Sequence, residues 1–460
     1  MAPNPSSAAL RARLATLTEV LSEGLVERAV AVRLALLAAL AGEHILLVGP
    51  PGTAKSDLAR RLHRAFRDAA YFERLLTRFS VPEELFGPLS IAALEQDRYE
   101  RQTEGYLPSA SVAFIDEVFK ANSAILNALL TLLNEREFDN GAQRVKAPLI
   151  SVVGATNEVP DDEVGAAFYD RFLVRCRVDS VSDAGFTALL RLPEREAPEP
   201  SHDIRLSDAE LAQIARQVDA VALPNEVLEL LADLRAHLAA ENVYVSDRRW
   251  RKLTRLLKTA ALTDGRDAVS VWDAWLAQFC AIQRLEEQGK VADWYTARLG
   301  TDRAFSPARF TRAVEAFEAQ LELEQNADDL NYDAQGRLAA VSSLTDSKGG
   351  ETATRMSFFT RHKRYGRSHV EARAAQVREL IADTDAYVDR LDAMVEDLKR
   401  VAVPHLWLDP AFAAQARASL QGTRANVEVL RRRLEQAEAG FRALPLLEQD
   451  PGGVPERIAV

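Results

Sequence analysis

The apolar run His44-Ile45-Leu46-Leu47-Val48, followed at once by Gly49-Pro50-Pro51-Gly52-Thr53-Ala54-Lys55-Ser56, constrains this chain more than any other feature. Four consecutive aliphatic residues read as a strand buried on both faces, the mark of a parallel sheet. A glycine- and proline-rich turn breaks the strand, and Asp57-Leu58-Ala59-Arg60-Arg61-Leu62 restarts as a helix. Strand, tight turn and helix in that order build an anion cradle. Turn N–H groups converge, the helix N-terminus adds partial positive charge, and Lys55 adds a full one. The Ser56 hydroxyl is placed to ligate a magnesium ion. The pattern implies a nucleoside triphosphate site built from Gly49, Pro50, Pro51, Gly52, Thr53, Ala54, Lys55, Ser56 and Asp57. One position departs from it. Glycine is wanted immediately before the lysine, and the methyl of Ala54 is expected to demand a negative φ. A glycine-rich turn alone can be a structural corner; Lys-Ser and a helix directly after it favour the phosphate reading.

At 460 residues the chain has room for two or three domains. No apolar run approaches the roughly 20 residues that span a bilayer. Met1-Ala2-Pro3-Asn4-Pro5 carries no basic segment ahead of an apolar core, so no secretory signal is expected. Cys176 and Cys280 fit no metal spacing and read as buried thiols of a cytoplasmic protein. A net charge of −11 counts against a nucleic-acid groove as the main surface. The basic runs Arg361–Arg367 and Arg431–Arg433 read as solvated helix faces or loop ends.

Two further apolar strands follow, Ser111–Ile115 and Leu149–Thr156, with a helix from Ala121 to about Leu133 between them. Strands alternating with helices imply a parallel sheet covered on both faces, with ligands at the carboxyl ends of its strands. Lys55, Asp116, Glu117 and Asn157 all fall at or just beyond such ends. Asp116 is suited to hold the magnesium ion, and Glu117 to polarise the water that attacks a γ-phosphate. Asn157 can hydrogen-bond that phosphate or orient the same water, although asparagine after a strand is also a common turn residue. Arg171, at the end of a short helix, can reach a neighbouring subunit's nucleotide; the alternative is a local pair with Asp170.

Residues 8–41 read as helical, 79–110 as loops with short helices and a hairpin, and Ser180–Ser201 as a Pro-rich linker. Helices dominate from Ser207 to about Leu285. Tyr332–Leu338 carries a turn signal, and 344–354 resembles a flexible joint. Two long amphipathic stretches, His369–Ala402 and Pro410–Ala443, suggest an antiparallel helical hairpin. The expected division is an α/β nucleotide-binding core over 1–190, a helical lid over 201–300, a connecting segment over 301–345 and the hairpin over 355–445.

With these pieces in order the chain resembles the AAA+ ATPases, within them the MoxR family, and most of all its regulatory ATPase variant A branch. The resemblance rests on the phosphate loop, Thr77–Pro88, Ile115-Asp116-Glu117, Asn134–Phe138, Ala155–Pro160, Tyr169-Asp170-Arg171-Phe172 and Val245–Trp250. It implies Walker A roles for Lys55 and Ser56, Walker B roles for Asp116 and Glu117, sensor 1 at Asn157 and a trans-acting arginine finger at Arg171. It also implies sensor 2 at Arg248, with Arg249 second, and an adenine pocket near Val26. The implied protein is a parallel-sheet P-loop AAA+ core with helical lid and C-terminal helical hairpin. Its cofactors are ATP and Mg2+, and it forms a homo-oligomeric ring, a hexamer, that remodels a protein client with a von Willebrand factor A domain partner. The rival readings are a nucleic-acid-translocating motor, a metal-chelatase-type motor subunit and an ATP-binding scaffold.

Overall fold

The computed structural model describes residues 5–159, 163–193, 197–301, 304–330, 340–342, 356–358 and 360–458. The chain divides into two compact units: Met1–Tyr295 with Val401–Ala413, and Thr296–Arg400 with Ala414–Val460.

The first unit begins with α1 (Pro5–Ser22) and α2 (Ala29–Ala41). These are two helices rather than one, because residues 23–28 turn between them, with Gly24 left-handed at φ 75°. Nearly every side chain of α2 is buried, and Gly42 ends it in the left-handed conformation, which glycine adopts without steric cost. β1 (Ile45–Val48) and the phosphate-loop helix α3 (Lys55–His63) follow. Next come β2 (Tyr71–Leu75), the short helices α4 (Pro82–Phe86) and α5 (Ile91–Leu94), β3 (Val112–Asp116) and α6 (Ser123–Glu135). A hairpin of β4 (Glu137–Asn140) and β5 (Gln143–Lys146) leads to β6 (Ser151–Thr156), α7 (Glu163–Tyr169) and β7 (Val174–Arg177).

Five of these strands form one parallel sheet in the order β2-β3-β6-β1-β7. Its inner strands β1 and β6 are wholly buried and β3 is buried up to Ile115, as two-sided coverage by helices demands. β2 carries charge at the adjacent Glu73 and Arg74, and β7 at the alternate Arg175 and Arg177, which hides both strands from a search for apolar runs. The hairpin lies at 137–146 rather than within 79–110. There an isolated bridge between Leu89 and Arg101 joins the short helices instead.

The segment expected to be a linker holds a helix, α8 (Asp183–Leu190), capped by the Ser182 hydroxyl, which accepts from Gly185 N. The lid then comprises α9 (Asp208–Gln217), α10 (Asn225–Ala240), α11 (Asp247–Thr263), a 3-10 segment (Val271–Phe279) and the start of α12 (Glu287–Arg298). Ser246 caps α11, whose buried stripe Leu253, Leu256, Leu257 and Ala260 packs on α2. Val401–Ala413 belongs to this unit through a buried ionic cluster. Asp273 accepts two hydrogen bonds of 2.7 Å from Arg266, and His405 Nε2 donates to it at 2.9 Å. Trp407 N donates to His405 Nδ1, which places the ring proton on Nε2. Burial opposes ionisation of Asp273, but the Arg266 charge and hydrogen bonds outweigh it and hold its pKa far below the usual range.

The second unit is helical. The connecting segment contains a long helix, α13 (Pro307–Gln325), ahead of α14 (Arg367–Asp397) and α15 (Pro410–Arg442). Val370, Val377, Thr384 and Leu391 recur every seven residues of α14, Leu398 follows just past its end at the same spacing, and all five are buried, as a coiled-coil seam requires. Thr384 satisfies its hydroxyl on Ile381 O at 2.6 Å. Arg424 pairs with Asp392 and Arg431 with Asp385, so α14 and α15 run antiparallel. α13 completes a three-helix bundle: Glu318 pairs with Arg433, and Glu324 accepts from His369 and Arg373. Short antiparallel pairs, Asp328–Leu330 with Thr360–His362 and Ala340–Ser342 with Met356–Phe358, also occur here. The turn expected at Tyr332–Leu338 and the joint at 344–354 lie outside the described residues, as does Pro160. Among the described residues no helix is long and apolar enough to cross a membrane.

Candidate functional site

The register of the sheet sets the site. Val48 is level with Thr156 of β6 and Arg177 of β7, and Ile115 of β3 is level with Gly154. The carboxyl ends of β1, β3 and β6 therefore finish within about one residue, roughly 3 Å, of each other. The phosphate loop, Asp116-Glu117 and Asn157 leave the sheet at one edge.

The loop is shaped by two glycines. A Cβ at Gly49 would lie 2.0 Å from Val178 O, so only glycine permits this approach; Gly52 has φ 78°. Ala54 has φ 66° and ψ 23°, which corrects the expectation of a negative φ. The left-handed region is small but allowed for alanine, at a cost of about 1 kcal/mol, and closure of the loop onto α3 imposes it. Lys55 Nζ donates to Gly49 O (2.8 Å) and Pro50 O (2.7 Å) and lies 3.4 Å from Thr53 Oγ1. Burial lowers the Lys55 pKa, and the charges of Asp116 and Glu117 oppose that shift. Lysine and acid pair thus sense each other across the sheet edge. Asp57, expected to face nucleotide, is ion-paired one turn along α3 with Arg61 at 2.9 Å.

Glu117 is also left-handed, at φ 51°, and its N–H donates to Asp116 Oδ1 at 3.0 Å. Its Oε2 is buried without a hydrogen bond, 3.4 Å from Lys120 Nζ. Strain and an unsatisfied carboxylate oxygen at one residue are a usual mark of a working group. Thr156 Oγ1 bonds both Glu158 N and Glu158 O, shaping the turn that exposes Asn157. A cavity of about 670 Å³ opens at this edge, lined by Gly49, Pro50, Pro51, Asn157, Glu158 and Arg177 among others. Lys55, Asp116 and Glu117 are not on its wall.

A second cavity of about 240 Å³ is lined by Glu27, Arg28, Val30, Ala31, Trp275 and Phe279 among others. Val26 is not on its wall; the residues just after it are. Arg28, which sequence reasoning passed over, is buried and joins three segments. It donates to Thr53 O (3.2 Å), Glu27 O (3.1 Å) and Asp179 O. A lone arginine at the start of an apolar helix was the available signal.

Asp170 and Arg171 lie elsewhere. They precede β7, whose first residue pairs with Ile45, so they sit at the amino end of the sheet. The strand's own length, about 10 Å, separates that end from the phosphate loop. Arg248 joins them there, ion-paired with Asp170. Arg249 is only 4% exposed, and it spends its donors on Phe172 O, Leu173 O, Cys280 O and Asp170 O. Of the two lid arginines, Arg249 is thus committed to structure, and Arg248 alone keeps donors to offer. Arg175 is buried beside them, its guanidinium 3.7 Å above the Tyr169 ring and its pKa lowered to about 9 by burial and by Arg249.

Comparison with known proteins places this arrangement. Residues 12–216 match the family model for the MoxR domain in the MoxR-vWA-beta-propeller ternary systems, and residues 226–295 match an AAA lid domain. An uncharacterised protein of Methanocaldococcus jannaschii is 41% identical over 263 residues, 57% of this chain and 68% of that one. The chain belongs to the MoxR family of AAA+ ATPases. Protein MoxR of Paracoccus denitrificans is 28% identical over 273 residues, covering 52% of this chain and 78% of that one. A crystal structure from Cytophaga hutchinsonii shares the fold at a TM-score of 0.50 and 20% identity, covering 62% of this chain and 91% of that one. The MoxR and lid matches end at Tyr295, where the first unit's main stretch also ends.

For a MoxR-type AAA+ chain the donors present suit magnesium. Ser56 and Asp116 offer hard oxygen ligands, and among the described residues no group of three or more His, Cys, Asp or Glu competes as a metal cage. That is the donor set of a cation held jointly by protein and triphosphate.

Proposed function

We propose that this chain is a magnesium-dependent ATPase that works as a ring of copies, a hexamer, and uses hydrolysis to remodel or mature a protein client. In this reading Gly49–Asp57 cradle the triphosphate and Lys55 neutralises its charge. Glu117 draws the proton from the attacking water, and Asn157 orients that water. Ser56 and Asp116 would hold the magnesium ion, which screens phosphate charge when bound. The adenine is assigned to the slot beside Val26, between Arg28–Ala31 and Trp275–Phe279 of the lid. The partner is a von Willebrand factor A domain protein, by analogy with the systems named in the matched description. That description supports the MoxR-vWA-beta-propeller setting; the regulatory ATPase variant A branch rests on motif resemblance alone. Two buried free thiols suit a reducing cytoplasm. The three-helix bundle is the proposed client or adaptor surface.

The observation that carries the ring is the distance along the sheet between Arg171 and its own phosphate loop. An arginine there serves catalysis only at a neighbour's site. The test mixes Arg171→Ala subunits with Glu117→Gln subunits, each alone nearly inactive. Co-assembled rings should regain ATPase activity at interfaces joining an intact Arg171 to an intact Glu117. No regain in mixtures shown to co-assemble would defeat the reading.

A further inference from the structure

The turn between α7 and β7 gathers four arginines: Arg171, Arg175, Arg248 and Arg249. Two are spent on the fold. Arg249 saturates carbonyls of the turn and of Cys280, as described above. Arg175 donates to Ile282 O, Gln283 O (3.3 Å) and Tyr169 O (3.0 Å). The lid is thereby fastened to the turn that carries Arg171. The other two are not spent. Arg171 Nε is buried with no hydrogen-bond partner, and Arg171 makes no ion pair among the described residues. Arg248 is 40% exposed and is held by Asp170 Oδ2. The opposite oxygen of the same carboxylate, Oδ1, is anchored 3.3 Å from buried Arg249 NH1.

We propose that Asp170 is a positioning residue. Its carboxylate, fixed on one side by Arg249, holds Arg248 beside Arg171 so that the two guanidinium groups meet a neighbouring copy's triphosphate as a preset pair. This rests on the trans reading of the site given above. A part-exposed ion pair adds little to stability. Its value is geometric: a long flexible side chain is held before the substrate arrives, and losing that order costs rate rather than binding. Asp170 touches no substrate and acts only through the arginines.

The experiment is a double-mutant cycle in ATPase kinetics on the full chain. Asp170→Asn keeps an acceptor at Oδ1 for Arg249 but turns an amide N–H toward Arg248, severing that one contact. Arg248→Ala severs it from the exposed side, where folding is not at stake. Each single variant should lower kcat about tenfold, with KM for ATP within about twofold and thermal unfolding near the parent. The double variant should be no slower than the slower single one, because both remove the same unit. Losses that multiply, or parental kcat in either single variant, would overturn the proposal. If Asp170→Asn unfolds, parental kcat in Arg248→Ala still overturns it. Arg171→Ala in the same assay separates the two layers. Parental kcat there brings down the trans reading itself, whereas loss there with multiplying Asp170 and Arg248 effects brings down only the positioning role.

Discussion

The two ends of the parallel sheet are built on opposite terms. At the carboxyl end the backbone is strained and polar groups are left unsatisfied. Ala54 and Glu117 are both left-handed, Gly49 is pressed against Val178 O, and a Glu117 oxygen has no hydrogen bond. At the amino end no residue from 170 to 177 has a positive φ, and most buried donors are paired, although Tyr169 Oη, Arg171 Nε and Arg175 Nε have no hydrogen-bond partner. His44 accepts from Val152 N and donates to Leu133 O, and Arg175 and Arg249 saturate carbonyls. Of the arginines there, Arg171 makes no ion pair among the described residues and Arg248 is part-exposed. In the function proposed above, one end receives an anion and the other presents cations. Under that proposal a subunit carrying complementary halves on opposite edges completes its sites through head-to-tail contacts, which form a ring if the rotation closes.

Removing the central charge of the receiving end should have the largest effect. Lys55→Ala is expected to abolish ATP binding in equilibrium titration, and turnover with it; affinity near the parent would mean that the carboxyl end is not the anion site. Next comes the projecting end. Arg171→Ala should lower kcat about 10³-fold while ATP affinity holds, because the finger meets charge that develops in the transition state. A matching fall in affinity would erase the distinction between the ends. Glu117→Gln should lower kcat about 10²-fold with binding preserved, the scale of a general base. Normal turnover would move the base elsewhere.

The ends also differ in how far they could be read from sequence. The carboxyl end is local: each functional group follows an apolar strand directly, so Lys55, Asp116, Glu117 and Asn157 were placed by strand and motif. The φ of Ala54 was not, because loop closure rather than the residue's own preference sets it. The amino end is assembled from residues 44, 170–175, 248–249 and 280–283, which no local pattern links. The choice between Arg248 and Arg249 stayed open for that reason, since only burial distinguishes them. The same contrast holds in the second unit. A long amphipathic pattern made α14 legible, whereas α13 carries its buried Phe310, Ala313, Val314 and Phe317 amid charge and passed as a connector. Fold was readable where apolar spacing is regular, and candidate site residues where they directly follow a strand. Neither condition covers the lid's grip on the turn.

The smallest expected effect singles out the amino end. His44 lies at the start of β1, with its ring edge-on to Phe172, 6.5 Å between centroids. Burial lowers its pKa to about 3. The unfolded chain has an ordinary histidine with a pKa near 6.5. Between those values the unfolded state binds the extra proton, so stability falls as pH falls. From pH 7.5 to 5.5 the loss from His44 alone is about 1.4 kcal/mol. Denaturant titrations of parent and His44→Asn across that range should show it as a difference in slope, whatever the variant's absolute stability. Equal slopes in parent and variant would mean that the ring takes up its proton in the folded protein as readily as in the unfolded chain, so that burial does not hold it neutral.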